Sequence, residues 1–493
     1  MSFLFILVPL VLASVMPLIG KISKRFLPDF LANATVCFLL IYAISFVPQI
    51  ISGGSDIRQL IWLGQPINIT LALDGLSLFM LFTIALVSFA VTLFSVDYME
   101  HYGAKANYYA LFLLMVAGMN GLVLSTDLFG IYVFLEVAAV ASYGLVAYGL
   151  GHDELEASFK YLMLSAVASS FIVLSIAMIF GLTGNLNLGA IGLGLRALSV
   201  KYVLGFCIGF FIMGFGLKAA LVPFHSWLPD AHPSAPAPIS AMLSGLLIKV
   251  SGVYAMARIF LNVFGLNSIL SNILMYLGII SILVGAITAL GQNDIKRMLA
   301  YSSISQIGYI VLGLGLGTPL GIMGALFHIL NHAIAKGLLF LNAGSIEWST
   351  GTRSLDKMGG LAKRMPITAA TSVIGSLAIA GVPPLNGFWS KLLIIIALVQ
   401  AKMYGFAIIA VLASVITLWY YLIVQRRAFF GKLNPVWENV KEAPFWMSAS
   451  TIILALLCIV IGIAFPFFIK LWLTPATNVL TSGIGYVLNF LHY

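Results

Sequence analysis

The chain has 493 residues, of which 61% are hydrophobic and only 8% are charged, whereas a soluble globular domain carries about 25% charged residues. This composition excludes a water-soluble fold and favours a protein that has lipid as its solvent. The formal net charge of +9 does not indicate nucleic-acid binding, because the basic residues are scattered through short loops and form no single patch. We therefore expect no nucleic-acid partner.

Fourteen apolar segments approach the roughly 20 residues that a membrane span requires. No basic residue precedes the first segment, which is therefore predicted to be a span and not a cleaved signal peptide. A last apolar stretch, 477–491, is interrupted by Ser482, Gly483 and Gly485 and is predicted to lie at the membrane interface. The sequence predicts an all-α polytopic membrane protein with about fourteen transmembrane helices. These helices are predicted at 3–20, 30–47, 74–95, 107–125, 128–150, 161–182, 202–228, 236–262, 268–290, 298–315, 319–343, 367–400, 405–425 and 445–469.

Lysine and arginine are unevenly distributed between the two sets of loops. Fifteen of them follow odd-numbered segments: Lys21, Lys24, Arg25, Lys105, Lys160, Lys296, Arg297, Arg353, Lys357, Lys363, Arg364, Arg426, Arg427, Lys432 and Lys441. Only six lie in the opposite loops and ends: Arg58, Arg196, Lys201, Arg258, Lys402 and Lys470. Because short cytoplasmic loops are enriched in basic residues, we expect both termini on the outer face of the cell (inner) membrane.

The remaining four lysines lie inside predicted spans, at Lys218, Lys249, Lys336 and Lys391, and Glu136 is the acid well inside a span. A charge at the centre of the bilayer costs about 2.5–3.5 kcal/mol on insertion scales, so such residues indicate a functional site by default. A lysine near a span end can instead extend its side chain to the interface. That alternative stays open for Lys336.

Glu136 lies in the segment DLFGIYVFLEVAAVASYGL. An isolated carboxylate in a span would be protonated, but beside a lysine both groups can remain ionised. One interpretation is a structural ion pair. The other is a charge whose position sets the proton affinity of Lys218, so that moving it converts the lysine between proton acceptor and proton donor.

His328, His332 and Lys336 are spaced i, i+4, i+8 in FHILNHAIAKGLLF, which places them on one face of a helix. A single histidine there would be a hydrogen-bonded core residue, but two imidazoles and a lysine favour a proton wire. HxxxH without an adjacent glutamate and a third ligand makes metal binding the weaker interpretation. We predict no metal site, and the three cysteines form no CxxC pair.

Prolines interrupt two of the lysine-bearing spans. Pro223 follows Lys218 by five residues, and Pro383 and Pro384 shortly precede Lys391. Proline removes an intrahelical hydrogen bond and clashes with the preceding turn, so both spans are predicted to be broken helices. Freed backbone at membrane depth needs protein or water around it, and water beside a lysine is what proton transfer requires. His225 beside the first break is an additional relay candidate.

The two breaks fit an internal repeat. If segments 4–8 and 9–13 are two units, each broken span is the fourth of five, and an odd number of helices inverts the second unit relative to the first. The sequence therefore predicts an N-terminal three-helix region (1–106), two inverted five-helix repeats (107–262 and 263–430) and a C-terminal helix with a tail (431–493).

Seven motifs between about residue 127 and residue 391 resemble one family, the antiporter-like proton-channel subunits. This family is shared by respiratory complex I, membrane-bound energy-converting hydrogenases and related complexes, and Mrp-type sodium/proton antiporters. The motifs are DLFGIYVFLEVAAVASYGL, EASFKYLMLSAVASS, GLKAALVPFHSWLPDAHPSAPAPISA, IKVSGVYAMAR, DIKRMLAYSSISQIGY, HILNHAIAKGLLFLNAGS and GVPPLNGFWSK. The resemblance implies a fourteen-helix fold with inverted repeats and a charged central axis.

The resemblance also implies roles for individual residues. Glu136 is similar to the glutamate that pairs with the lysine of the first broken helix, here Lys218, and Lys249 takes the bridging position. The histidine-rich helix would be that of His328 and His332. Lys391 would be the terminal lysine, where some relatives carry glutamate. The longest relatives add a lateral helix after the core, and the length of this chain argues against that type.

The leading functional hypothesis is a proton-translocating subunit of a redox-driven complex of the NADH/quinone oxidoreductase or membrane-bound hydrogenase type. Nothing in the sequence resembles a nucleotide loop, a haem motif or an iron–sulfur cysteine set, so we expect no cofactor in this chain and redox chemistry in partner subunits. The expected partners are other membrane subunits, including related antiporter-like ones, together with protons and the lipid bilayer. Whether sodium also moves stays open.

Two alternatives remain. The first is a subunit of an Mrp-type sodium/proton antiporter, since SLDKMGGLAKR resembles both classes, although HSWLPDAHPSAPAP is closer to redox-complex members. The second is a solute symporter with an inverted repeat. The lack of a substrate-sized polar constellation in the sequence counts against it.

Overall fold

The computed structural model describes residues 2–62, 68–197 and 201–492. Twelve helices in these ranges are long and apolar enough to cross a membrane, which confirms the predicted all-α polytopic class. Three shorter apolar helices, at Tyr202–Lys218, Pro366–Ala380 and Asn386–Gln400, lie within the two spans predicted to be broken. The count of fourteen and the two repeats stay predictions.

The N-terminal region packs its first two helices against the helices that follow. It comprises α1 (Leu4–Ile22), α2 (Phe26–Ser45), α3 (Val47–Ile51), strands β1 (Asp56–Trp62) and β2 (Asn68–Leu73), and α4 (Gly75–Tyr98). The two strands form an antiparallel hairpin with an irregular register between Gln59 and Ile61, which the sequence analysis did not predict. The hairpin leads into α4, whose first turn is held by a capping box between Asp74 and Ser77.

The predicted first half contains the first helix break. Its helices are α5 (Lys105–Leu124), α6 (Leu128–Val146), α7 (His152–Thr183), α8 (Leu188–Ala197), α9 (Lys201–Lys218), α10 (Leu228–Ser234), α11 (Ala237–Met242) and α12 (Ala255–Ile259). α9 ends at Lys218, and the chain turns through 219–227 before α10 begins, so the span is interrupted around Pro223. Asp127 caps α6 by accepting a hydrogen bond from the Gly130 amide at 2.5 Å.

The span from Ala237 to Phe264 alternates between α-helical and π-helical geometry. The π-helical segments are Leu243–Leu247, Lys249–Tyr254 and Phe260–Phe264. π-helical turns, which have hydrogen bonds between residues i and i+5, are rare and often occur at functional sites. This span is buried throughout by its neighbours, so its polar groups face protein and not lipid.

The predicted second half contains the second break. Its helices are α13 (Ser268–Leu290), α14 (Ile295–Leu316), α15 (Pro319–Thr350), α16 (Pro366–Ala380), α17 (Asn386–Gln400) and α18 (Tyr404–Val424). The chain turns at 381–385 between α16 and α17. There α17 approaches α16 so closely that a Cβ at Gly387 would collide with the Ala378 carbonyl oxygen. The 18-residue core of α15 is entirely buried.

The C-terminal part of the chain ends on the same face of the helix bundle as the N-terminus. It contains α19 (Phe445–Ile463), α20 (Phe465–Phe468), α21 (Thr474–Thr481) and α22 (Ile484–Val487). The Asn120 side chain near the end of α5 bonds the Phe5 carbonyl at 2.8 Å. Asn187, which pairs with Asp127 at the start of α6, bonds the Phe490 carbonyl at 3.5 Å. Both ends of the described chain therefore share one face, whose assignment to the outside stays a prediction.

Candidate functional site

The first helix break joins Glu136 and Lys218. The Lys218 Nζ lies 3.3 Å from the Glu136 Oε1 and donates to the Ser165 hydroxyl at 2.5 Å. Ser169, one turn further along α7, donates its hydroxyl to the same carboxylate oxygen. Lys218 is buried, whereas 29% of the Glu136 side chain is exposed. The carboxylate thus has room to move that the ammonium lacks.

Lys249 lies at the start of a π-helical segment and is entirely buried. Its Nζ donates to the carbonyl oxygen of Ser244, five residues earlier. The Ser244 hydroxyl in turn pairs with the Ser303 hydroxyl of α14 at 2.7 Å. Among the described residues, no carboxylate forms an ion pair with Lys249.

The two histidines of α15 have different surroundings. The His328 Nδ1 is 2.9 Å from the Ser390 hydroxyl, and its Nε2 is 3.2 Å from the Gln306 side-chain oxygen. The His332 ring centroid lies 6.1 Å from that of His328. Both His332 ring nitrogens are buried, and neither is hydrogen-bonded to another described residue. Because an unsatisfied buried polar group costs about 1–3 kcal/mol, packing alone does not account for His332.

At the second break, no carboxylate of the described residues pairs with Lys391. Its Nζ donates to the Ile379 carbonyl at 2.7 Å and to the Ser414 hydroxyl at 3.1 Å, and it lies 4.9 Å from the Tyr309 ring centroid. Ile379 is one of the last residues of α16, so this carbonyl belongs to the helix end that the break exposes. The Lys391 ammonium is thus held by a backbone carbonyl, a serine hydroxyl and the face of the Tyr309 ring.

Lys336 does not reach the membrane interface. It is entirely buried, and its Nζ lies 3.0 Å from both the Leu299 carbonyl and the Tyr421 hydroxyl. The Tyr421 hydroxyl also lies 3.1 Å from the Ser302 hydroxyl. These contacts exclude the alternative that Lys336 extends to the lipid–water boundary.

His225 lies in the turn after α9 and is only partly buried. Its Nδ1 has no hydrogen-bond partner among the described residues, and no hydrogen bond within the described ranges joins its ring to another relay candidate. The structure therefore brings Glu136 and Lys218 into direct contact, and it shows no such contact for His225 among the described residues.

The structure places one basic residue differently from the count of loop residues. Arg258 is not in a loop but in α12, 3% exposed, and pairs with the buried Asp74 at 2.8 Å. Lys105 and Lys296 are also buried, within ion pairs to Asp29 and Glu347. Arg258 lies within the predicted span 236–262, and that position was the signal that could have placed it with the intramembrane lysines.

Sequence reasoning also missed polar residues that carry no charge. Ser165, Ser169, Gln306 and Ser390 contact the candidate groups directly, but serine and glutamine in apolar runs are common and give no distinctive pattern. His232, in α10, is entirely buried against the Phe340 ring, 4.6 Å between centroids. Within the described ranges, no group of three or more His, Cys, Asp or Glu side chains is placed to hold a metal ion.

Comparison with known families matches residues 125–417 to the family described as "NADH:quinone oxidoreductase/Mrp antiporter, TM". Residues 62–109 match a second one, "NADH-Ubiquinone oxidoreductase (complex I), chain 5 N-terminus". The chain belongs to the NADH:quinone oxidoreductase/Mrp antiporter family. This membership, with its apolar helices, makes the chain a multi-pass integral membrane protein and confirms the predicted family.

Relatives within this family carry different names. The chain is 34% identical to NADH-quinone oxidoreductase subunit N of Desulforudis audaxviator over 87% of this chain and 86% of that one. It is 32% identical to a Na(+)/H(+) antiporter protein of Alkalihalophilus pseudofirmus over 93% of each. A chain of an archaeal membrane-bound sulfane sulfur reductase has a similar structure, with TM-score 0.89 and 33% identity over 99% of both chains.

Proposed function

We propose that this chain translocates protons as a membrane subunit of a complex-I-like, redox-driven ion pump. The observation that carries the proposal is the ion pair between Glu136 and Lys218 at the end of a broken helix. A bilayer-facing protein retains such a pair at considerable cost. A proton path needs a pair of this kind, because its members must be able to gain and lose charge.

In the first half, Glu136 acts as the switch on Lys218. While the carboxylate lies beside the ammonium, the lysine keeps its proton, since an opposite charge nearby favours the charged form. When Glu136 turns away, burial favours the neutral amine and the proton leaves. The hydroxyls of Ser165 and Ser169, which contact the lysine and the carboxylate respectively, give the two groups neutral partners in either arrangement.

In the middle of the membrane, Lys249 and the histidines continue the path. Neutral imidazole accepts a proton on one nitrogen and releases one from the other, so His332 and His328 can pass a proton without a lasting charge. The Ser390 hydroxyl, 2.9 Å from His328, leads to the neighbouring Lys391. Lys391 is the terminal member of the relay and the one nearest the second helix break.

The second candidate function is that of a subunit of an Mrp-type sodium/proton antiporter. The 32% identity to a Na(+)/H(+) antiporter protein over 93% of both chains favours it. Both functions use the same proton path and differ in the driving force. Neighbouring genes separate them, because oxidoreductase or hydrogenase subunits support the first function, and small Mrp-type membrane subunits alone support the second.

The proposal includes the surroundings of the chain. We infer partners that include further antiporter-like membrane subunits, an electron-transfer module outside this chain, and a cell inner membrane with both termini on its outer side. Reporter fusions at Met1 and Tyr493 that are active only outside the cytoplasm test the last point. Active reporters at both ends support it, and activity at neither end contradicts it.

The function is tested with Lys218→Ala in the assembled complex within membrane vesicles. We expect coupled proton transport to be lost while the amount of assembled complex persists. Lys160→Ala, at an exposed lysine of α7, is the matched control and should transport normally. Undiminished proton transport in assembled Lys218→Ala complexes would falsify the relay.

A further inference from the structure

One face of α16 carries a polar stripe that the proposed relay does not use. Thr368, Thr371, Ser372 and Ser376 are each at most 5% exposed, and their spacing places them on the same side of the helix. Buried hydroxyls on a membrane helix either link helices together or line a path for polar species. The partners of these four residues distinguish the two roles.

At its surface end, the stripe begins at a carboxylate. Glu442, partly exposed in the loop before α19, accepts hydrogen bonds from the Ile367 amide at 2.7 Å and from the Thr368 hydroxyl at 2.6 Å. One turn deeper, the Thr371 hydroxyl lies 2.9 Å from the Ile367 carbonyl of its own helix and 3.1 Å from the Asn342 side-chain oxygen of α15, so it can donate to either. The stripe therefore starts at a titratable group that water can reach.

Deeper in the membrane, some of the buried polar atoms beside the stripe have no hydrogen-bond partner within the described ranges. The Gln425 Nε2 donates to the hydroxyl oxygens of Ser372 and Ser376, both at 2.9 Å. The Gln425 Oε1 and the Asn342 Nδ2 are buried and have no hydrogen-bond partner among the described residues. A buried polar atom of this kind is satisfied when a water molecule binds to it.

A small cavity lies beside Asn342 and the two serines. Its polar lining comes from Asn342, Ser372, Ser376 and Tyr421. The space open to the centre of a water molecule is about 10 Å³, enough for about one water. A buried water is stable with two to four polar partners, and the Asn342 amide, the serine hydroxyls and the tyrosine hydroxyl can supply them.

The inner end of the cavity touches the lysine row. Tyr421 lines the cavity, and its hydroxyl accepts a hydrogen bond from the Lys336 Nζ at 3.0 Å. Lys336 follows His332 by one helical turn on α15. Polar groups thus continue from a surface carboxylate to a buried amine.

We propose that these residues form a proton-access file, a second route that leads protons from the surface at Glu442 to Lys336. The proton-access file consists of Glu442, Thr368, Thr371, Asn342, Ser372, Ser376, Gln425 and Tyr421. This inference rests on the proposed function, because Lys336 then passes its proton to the histidines of the relay. The file approaches the second half from the face predicted to be cytoplasmic.

The proton balance of the file is simple. Glu442 takes up a proton from bulk water and releases one inward, and each hydroxyl or water molecule accepts a proton on one side while releasing another on the opposite side. The neutral amine of Lys336 is the final acceptor and becomes an ammonium. The amides of Asn342 and Gln425 orient the water and hydroxyls and carry no proton themselves.

The first test fills the cavity with apolar atoms. Ser376→Leu in the assembled complex should lower the rate of proton transport about tenfold, because leucine removes the hydroxyl that bonds Gln425 and occupies the space of the water molecule. A tenfold change is the rate equivalent of about one lost hydrogen bond. Ala370→Leu adds the same bulk to an exposed position of α16 and should leave the rate unchanged. Equal rates for the two assembled variants overturn the proton-access file.

The second test concerns the surface end and covers the case in which Ser376→Leu fails to assemble. Glu442→Gln can still accept the hydrogen bond from the Ile367 amide on its oxygen and donate from its NH2 group to the Thr368 hydroxyl oxygen. It cannot collect protons, so its transport deficit should shrink as the proton concentration on that face rises. Glu438→Gln, at an exposed glutamate of the same loop, should show no deficit. A deficit independent of proton concentration, or none, contradicts the file.

The two proposals fail in different ways. If Lys218→Ala abolishes transport and Glu442→Gln and Ser376→Leu transport normally, the relay stands and the proton-access file is wrong. If Lys218→Ala transports normally, the proposed function itself is wrong, whatever the file variants do.

Discussion

At the first helix break, Lys218 lies 3.3 Å from the Glu136 carboxylate, whereas at the second break Lys391 is held by the Ile379 carbonyl and the Ser414 hydroxyl. A carboxylate on a flexible side chain can leave its lysine, but a backbone carbonyl at a helix end cannot. Under the proposed function, this difference allows the first half to be switched by moving one charge. The second half offers its lysine a fixed, neutral environment.

The neighbouring helices repeat this contrast. α7 places two serines, Ser165 and Ser169, four residues apart beside the first lysine, and α15 places His328 and His332 four residues apart near the second. α6 contributes Glu136, whereas α14 contributes the neutral Gln306 beside His328. Besides its lysine, the first half thus contributes one carboxylate to the candidate site, and the second half contributes two imidazoles.

The largest expected effect is a loss of stability on breaking the Asp74–Arg258 ion pair, which lies at neither helix break. Arg258→Met leaves the buried Asp74 carboxylate without its partner, and breaking a buried pair costs about 3–5 kcal/mol. We expect a large loss of thermal stability, measured as the unfolding temperature of the purified chain. Arg297→Met, at a half-exposed pair with Asp230, is the control, because it should lower the free energy of unfolding by less than about 1 kcal/mol.

This variant separates structural pairs from functional ones. Asp74→Asn combined with Arg258→Met should recover much of the stability, because no unpaired charge remains. If Arg258→Met retains wild-type stability, the Asp74–Arg258 pair is not the structural element that its burial indicates, and the distinction from Glu136–Lys218 loses its basis.

The next expected effect is a loss of proton transport on replacing Lys249, which links the two halves in the proposed relay. Lys249→Met retains the bulk of the side chain but removes the titratable amine, so proton transport should fall by about a hundredfold or more, the lower range for a lost acid–base group. The measurement is proton uptake by vesicles with equal amounts of assembled complex. Lys441→Met, at an exposed loop lysine, should transport normally, and normal transport by Lys249→Met would remove the link between the halves.

A smaller effect is expected from making the second half resemble the first. Gln306→Glu places a carboxylate beside His328, which favours the protonated imidazole and should slow release of the proton about tenfold, as for a differential interaction of about 1.4 kcal/mol. Gln306→Met, which adds no charge, is the matched control. Faster transport with the new carboxylate would contradict the view that the second half depends on a neutral environment.

Much of this arrangement was accessible from the sequence, because lipid makes charged residues conspicuous. Lys218, Lys249 and Lys391 stand out in apolar runs, and the prolines mark both helix breaks. The i, i+4 spacing of His328 and His332 also follows from the sequence. These features depend on composition and local geometry, which a single chain records directly.

The remainder depends on contacts between residues that are far apart in the chain. Lys336 is close to a span end, so extension to the interface was a fair alternative until α14 and α18 were seen to enclose it. The position of Arg258 within the predicted span 236–262 was visible in the sequence, but its buried pairing with Asp74, which is remote in the chain, was not. The hairpin of β1 and β2 lies between apolar segments, where the search for spans gave no strand.

The central claim is that the position of the Glu136 charge sets the proton affinity of Lys218. Its most direct test is proton transport by assembled Glu136→Gln complexes, since glutamine keeps the shape and the hydrogen bond from Ser169 but has no charge to move. Glu156→Gln, at an exposed glutamate of α7, is the control. The account predicts that coupled transport is lost in Glu136→Gln and retained in Glu156→Gln, and full coupled transport by assembled Glu136→Gln complexes would contradict it.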